Sequence, residues 1–320
     1  MSAIYLSGFG AVSPAGWGMN ALFNAGGVGG MASWPAPQAL ERPGWTRPLA
    51  VRRVPAPATR PAWAAHARMR RAAAISQFAL GAATEALGGS PGGPPGVVFC
   101  TTCGGVNYSR RFYDEVLRDP AVASPLLFPE TVFNAPASHL AAVLATSAPN
   151  YTLIGDAGVF LHGLALAAGW LADGRVERCL VVAAEEVDWI NADALRHFQK
   201  SATLAEGAGA VLLTRERTAL TWAELECVTD PEPFGSGAAQ PARAAALRRV
   251  AAALPGGAAA APGAAHALPG EGFAAGAAWQ VLAAIHGART QQLPRATVLV
   301  PGAYQEAIGA SFTVFPTANV

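Results

Sequence analysis

The side chains that could carry chemistry are few and sit in short segments. Asp156 stands where a predicted strand gives way to a long apolar run, and His162 lies further along that run. A carboxylate at the start of a helix is stabilised by the free N–H groups there, so an N-cap is the expected use of Asp156. Acid or base catalysis would need a partner group, and the sequence puts none beside it. His162 falls about one and a half turns into the predicted helix, where a buried, hydrogen-bonded histidine is the expected reading. His139, after Ser138, is read as a packing residue. Glu185-Glu186 could share a proton and do acid/base work, but capping and loop hydrogen bonding are the commoner uses of such a pair. Cys100-Thr-Thr-Cys103 has redox spacing, although small residues at a strand end before Gly104-Gly105 explain it as well. Cys179 and Cys227 stand alone, so no second pair completes a structural zinc site. Gly8-Phe-Gly-Ala-Val-Ser13 lacks the third glycine and the later acid of a dinucleotide fingerprint. No Gly-x-Ser-x-Gly elbow is present, which argues against a serine hydrolase.

The elements that would hold these residues alternate between strand and helix. Strands are predicted at Ala3–Ser7, Gly96–Cys100, Tyr151–Ile154, Arg178–Ala184 and Gly209–Thr214, and helices at Arg70–Leu87, Tyr108–Arg118, Pro136–Thr146 and Gly158–Leu171. Gly8 to Gly16 reads as a glycine turn. After Arg217 the pattern thins: a helix at Ala242–Ala253, another at Phe273–His286, and closing strands at Ala296–Val300 and Ser311–Phe315, with a low-complexity tract at Gly256–Ala265. This alternation argues for a layered α/β protein, divided as a first half, 1–217, and a shortened second half, 218–320.

Composition agrees with a large packed body. Of 320 residues, 52% are apolar and 13% charged, which excludes a disordered chain. A formal net charge of +1 leaves no electrostatic footprint for nucleic acid. Lys200 is the sole lysine among 22 basic residues, a coding bias rather than a phosphate site. The apolar run Ala157–Ala172 contains His162 and ends at Asp173-Gly174, short of a membrane span. Met-Ser-Ala-Ile-Tyr-Leu-Ser-Gly has no basic region or signal-length apolar stretch, so a cytoplasmic location is the expectation.

Four motifs in a fixed order carry a family resemblance. They are Leu6-Ser-Gly-Phe-Gly-Ala-Val-Ser-Pro-Ala-Gly16, the run from Ser124 to Leu140, Ala205-Glu-Gly-Ala-Gly-Ala-Val-Leu-Leu213 and Gly272-Phe-Ala-Ala-Gly-Ala-Ala278. With Pro149 to His162, they make the chain resemble a β-ketoacyl-acyl-carrier-protein synthase over nearly its whole length. The resemblance implies a thiolase-like layered fold, α/β/α/β/α, of two related halves with the second shortened. That family's chemistry needs a low-pKa cysteine at a helix N-terminus, two histidines and a lysine. At the matching positions stand Ala157 for the cysteine, Phe273 and Phe234 for the histidines and Leu268 for the lysine, and Tyr304–Ala310 lies where a glycine-rich closing loop belongs. A methyl group cannot form a thioester.

The resemblance therefore implies a homologue that does not condense. The family includes cysteine-less subunits, the chain-length factors of type II polyketide and aryl-polyene systems, which pair with an active synthase and shape its tunnel. A similar role here implies an active β-ketoacyl synthase as heterodimer partner and acyl carrier protein as a second partner. The substrates implied are acyl groups linked to 4′-phosphopantetheine, and no cofactor or metal is expected. The loop Leu126–Phe133 would reach the interface, with Leu127, Phe128, Thr131, Val132 and Phe133 as its interface and tunnel residues. Two rival readings stay open: an acyl-thioester enzyme using Asp156, His162 or Glu185, and a homodimeric protein that binds an acyl chain or carrier without catalysis.

Overall fold

The computed structural model describes residues 3–26, 33–88, 92–200, 202–235, 240–255 and 268–316. The low-complexity tract Gly256–Ala265, and Ser236 and Gly237 of the Phe234 motif, lie outside the described residues.

Among the described residues a ten-stranded sheet runs, in spatial order, Asn150–Ile154, Gly96–Thr101, Arg178–Glu185, Gly207–Thr214, Tyr5–Ser13, Ala223–Val228, Glu306–Val314 and Glu232–Pro233. Arg295–Pro301 pairs with Glu306–Val314, and Gly16–Trp17 with Tyr5–Ser13. The first three strands are parallel, and the other pairings are antiparallel. Parallel strands need crossover connections, and helices provide them here. Gly96–Thr101 and Arg178–Glu185 read as continuous apolar runs because helices cover both faces.

Two helices fill the centre. Val159–Ala172 and Phe273–Thr290 touch each other and pack against strands from both ends of the curled sheet. Their core holds Phe160, Leu164, Trp279, Leu282 and Phe312. Trp279 is fully buried, and its Nε1–H donates to the Ala208 carbonyl at 2.9 Å. Outside the sheet, Ala74–Leu87 and Ala135–Val143 cover one face around Phe78, Leu80 and Phe99. Gln240–Ala253 covers the other end through Ala246 and Val250. Helix, sheet, helix pair, sheet and helix thus make five layers, with Tyr5–Ser13 hydrogen-bonded to strands on either side of Arg217.

The structure corrects one reading of the glycines. Gly8 and Gly10 do not form a turn; they lie inside the strand Tyr5–Ser13. They lack Cβ because Ala74–Leu87 crosses there: an added Cβ would overlap the carbonyl oxygens of Ala86 and Ala82. The helix expected from Arg70 begins at Ala74, after 3₁₀ turns at Ala62–Ala65 and Ala67–Arg70. The sequence pattern missed the strand Ala223–Val228, the helix Trp189–Leu195 and a small sheet of Gln38–Leu40, Leu49–Arg52 and Leu204–Ala205.

Candidate functional site

The strand Asn150–Ile154 ends against the turn Gly155-Asp156-Ala157-Gly158, from which the central helix Val159–Ala172 leaves. Asp156 and Ala157 are both buried at this junction. The helix N-cap is Gly158 rather than Asp156, so the capping expectation is not what the side chain does. The Asp156 carboxylate reaches across to the loop before the last strand. Its Oδ1 accepts the N–H of Ala157 at 2.8 Å and of Ala303 at 2.7 Å, and its Oδ2 accepts the N–H of Tyr304 at 3.0 Å and of Gln305 at 2.8 Å. A carboxylate has about four lone-pair sites, so this one has none left for substrate. Gly302 makes room for it, since a Cβ there would overlap Oδ2.

Phe273, Phe234 and Leu268, the residues read above as standing at catalytic positions, fall in three different clusters. Phe273 is buried with Ala303, Leu195, Val187 and Leu204, and Cys103 and Tyr304 pack against that cluster. Phe273 has φ +45°, a left-handed conformation uncommon for an aromatic residue, and its N–H donates to Glu271 Oε1 at 2.8 Å. Phe234 sits in a different cluster with Ala246, Val250 and Ala307, joined to the loop through its N–H to the Gln305 carbonyl at 2.9 Å. Leu268 packs against the central core that contains Ala157. Phe273 thus packs with Ala303 and Phe234 with Ala307, while Ala157 is linked to the same loop through the Asp156 carboxylate.

Each of the remaining polar candidates has a hydrogen-bond partner, and that of His162 lies at the end of the same loop. His162 is half-exposed rather than a core histidine, and its Nε2 lies 2.7 Å from Glu306 Oε1. His139 is buried, with Nε2 at 2.9 and 3.0 Å from the two oxygens of buried Glu130. Glu185 and Glu186 are adjacent in sequence but serve different loops. Glu185 accepts the N–H of Thr102 at 2.5 Å and of Cys103 at 3.1 Å, and Glu186 those of Ile75 at 3.2 Å and Asn107 at 2.8 Å. Glu206 does the same for Val54 and Val187, and Glu85 for Ala11 and Met19. Loop hydrogen bonding is the use expected above for Glu185-Glu186; the same role for Glu206, and for Glu85 on the helix Ala74–Leu87, was not read from the sequence.

Burial governs the titration of these groups. It pushes the Glu185 carboxyl up to about 8, against the opposing pull of its backbone donors. Glu186, Glu206 and Glu271 also move up through desolvation. The Cys100 and Cys103 thiols are pushed well above their ordinary range by burial, reinforced by the Glu185 charge, so neither is a thiolate at neutral pH. Burial and the Asp156 charge push the Tyr304 hydroxyl up to about 12. All four cysteines are free, and no group of three or more His, Cys, Asp or Glu among the described residues is placed to hold a metal ion.

The loop Leu126–Phe133 has one inward and one outward set of side chains. Leu127 and Glu130 point in, and Glu130 is held by His139. Leu126, Phe128, Val132 and Phe133 are exposed, and Thr131 is half-exposed with its hydroxyl on the Phe128 carbonyl at 2.8 Å. Gly104 and Gly105 let this loop lie against the start of Val106–Arg118: a Cβ on Gly104 would sit 2.6 Å from the Phe133 ring, and one on Gly105 2.7 Å from the Glu130 carbonyl. Beside the loop, the edge strand Asn150–Ile154 exposes Tyr151 at 59% and Ile154 at 55%. The buried Asn150 Oδ1 and Thr152 Oγ1 on that strand have no hydrogen-bond partner among the described residues.

The family model described as 3-oxoacyl-[acyl-carrier-protein (ACP)] synthase III matches residues 156–231. A search of curated protein sequences finds no match. Among solved structures, the ishigamide ketosynthase/chain length factor is similar with a TM-score of 0.77 at 22% identity, over 98% of this chain and 99% of that one. A β-ketoacyl synthase from Burkholderia phymatum STM815 matches with a TM-score of 0.77 at 14% identity, over 98% and 100% of the two chains. A ketosynthase in complex with its chain length factor from Xenorhabdus doucetiae matches with a TM-score of 0.70 at 15% identity, over 98% of each chain.

Proposed function

The chain has the thiolase-like fold of ketosynthases and chain length factors, and from that premise we propose that it is a non-condensing subunit of the chain-length-factor kind. One observation carries the reading. At the position from which the central helix starts, Ala157 offers a methyl group, and its N–H is spent on the neighbouring Asp156 carboxylate. The positions read as the family's histidines and lysine carry Phe273, Phe234 and Leu268, side chains that can neither take up an acyl group nor polarise a thioester.

The partner-facing surface supports the second part of the reading. An edge strand with exposed apolar side chains and open backbone groups is a template for pairing with another chain. Here Asn150–Ile154 exposes Tyr151 and Ile154 along such an edge. The exposed Phe128 and Phe133 would lie across that junction and limit how far a growing chain extends in the partner. The partner is an active, cysteine-bearing synthase, and acyl carrier protein delivers the chain to that synthase through its phosphopantetheine thioester. This subunit uses no cofactor of its own. A cytoplasmic location belongs to the same proposal. No helix of the described residues is long and apolar enough to cross a membrane.

The filled Asp156 oxygens count against the rival enzyme reading, whose remaining acid/base candidates are the His162–Glu306 pair and Glu185. Recovery of partners by the tagged chain from its own host tests the proposal. A cysteine-bearing synthase should be recovered with the native chain and lost with Ile154→Arg, which puts a charge on the edge strand. Recovery of the same partner by both forms, or of no synthase by either, would refute it.

A further inference from the structure

Four backbone N–H groups from two segments distant in sequence converge on a carboxylate that is 2% exposed. Ala157 and Ala303 both donate to Oδ1, and Tyr304 and Gln305 both donate to Oδ2. Two N–H groups aimed at one oxygen are the arrangement that stabilises an oxyanion. In this molecule the arrangement is already filled, by the side chain one residue before the position whose N–H it uses.

We propose that the amides of Ala157, Ala303, Tyr304 and Gln305 form a carboxylate-binding site whose native occupant is Asp156, so that removing this side chain leaves a site for a free small monocarboxylate. The donors are held in place by contacts that do not involve Asp156. The Gly302 N–H donates to the Glu306 carbonyl at 2.9 Å, and the Phe234 N–H donates to the Gln305 carbonyl at 2.9 Å. Arg243 donates to the Pro301 carbonyl at 2.6 Å, and Ala303 packs with Phe273. On the other side, the Val159 N–H donates to the Asp156 main-chain carbonyl at 2.8 Å, which any residue at 156 retains. The cradle therefore outlasts the side chain that fills it.

This site exists whether or not a synthase partner does. It also explains why an acyl thioester has no foothold at Ala157: its carbonyl oxygen would have to displace a tethered anion.

The experiment is urea unfolding of the full chain carrying Asp156→Ala, in sodium formate and in sodium chloride at matched ionic strength. Formate has three heavy atoms, so it binds no more tightly than about 1 mM. Above that concentration the variant's midpoint should climb with the logarithm of formate, as ligand linkage requires. Acetate, whose methyl would fall on the Cβ that alanine retains, should act less than formate, benzoate should not act, and the native chain should respond equally to formate and chloride. Equal responses of the variant to formate and chloride would overturn the proposal. If the variant does not fold, hydrogen exchange of the native chain decides. The amides of residues 157 and 303–305 should exchange at least ~100-fold more slowly than in an unstructured chain. Unprotected amides there would equally overturn it.

Discussion

Asp156→Asn changes one atom and should cost far more than a surface substitution. Each carboxylate oxygen accepts two backbone N–H groups. An asparagine has one oxygen and one NH2, so whichever way the amide is turned, two backbone donors face another donor. The turn that keeps the Oδ1 contacts orphans Tyr304 and Gln305, and the other orphans Ala157 and Ala303. A hydrogen bond to a charged group contributes about 1.5–3 kcal/mol, and leaving a buried donor unmet costs about as much. Two such losses predict about 3–6 kcal/mol of destabilisation. Urea unfolding followed by tryptophan fluorescence measures it; with a slope near 3 kcal/mol per molar, the midpoint should fall by about 1–2 M. His162→Gln is the control, because its half-exposed pair with Glu306 should contribute no more than about 1 kcal/mol. A loss below about 1 kcal/mol for Asp156→Asn would refute the tethered-carboxylate reasoning.

Stability should fall with rising pH. Glu185 titrates near 8 when folded against 4.5 in the free side chain, so between those values the native form keeps a proton that the unfolded chain has released. Its contribution is fully present below 4.5 and lost by 8, at up to about 1.4 kcal/mol per pH unit. Glu185→Gln should flatten that slope, which unfolding midpoints across pH 5–9 would register; an unchanged slope would count against it. Gly10→Ala should destabilise by about 3 kcal/mol or prevent folding, because the methyl meets backbone rather than a movable side chain; a thermal melt checks it. Phe128→Ala should leave the melting temperature within about 2 °C of native, since the ring is 55% exposed, yet lengthen the products of the reconstituted pair. Cys100 and Cys103 should resist iodoacetamide at pH 8 in the folded chain and react once unfolded, as peptide mass spectrometry would record.

The large elements were legible because their signals are local. The Val159–Ala172 helix and the strands Gly96–Thr101 and Arg178–Glu185 are apolar runs of helix and strand length, flanked by turn residues. Ala223–Val228 was overlooked because it is not an apolar run: Ala223, Leu225 and Cys227 alternate with Glu224 and Glu226, the period of a half-buried strand. The buried side of this strand faces a core only after Tyr5–Ser13 and Glu306–Val314 have closed on either side. Gly8 and Gly10 misled for the same reason. A glycine that clears a crossing helix looks, along the chain, like one that makes a turn. At the site, nothing local tied Asp156 to residues 303–305, almost 150 positions away. Contacts of that kind depend on the tertiary path of a loop and leave no periodicity to read.

Native mass spectrometry of the tagged chain, purified from its own host at low salt, tests the heterodimer most directly. One copy of this chain with one copy of a cysteine-bearing synthase is the predicted mass. A monomer or a homodimer free of any synthase would contradict it.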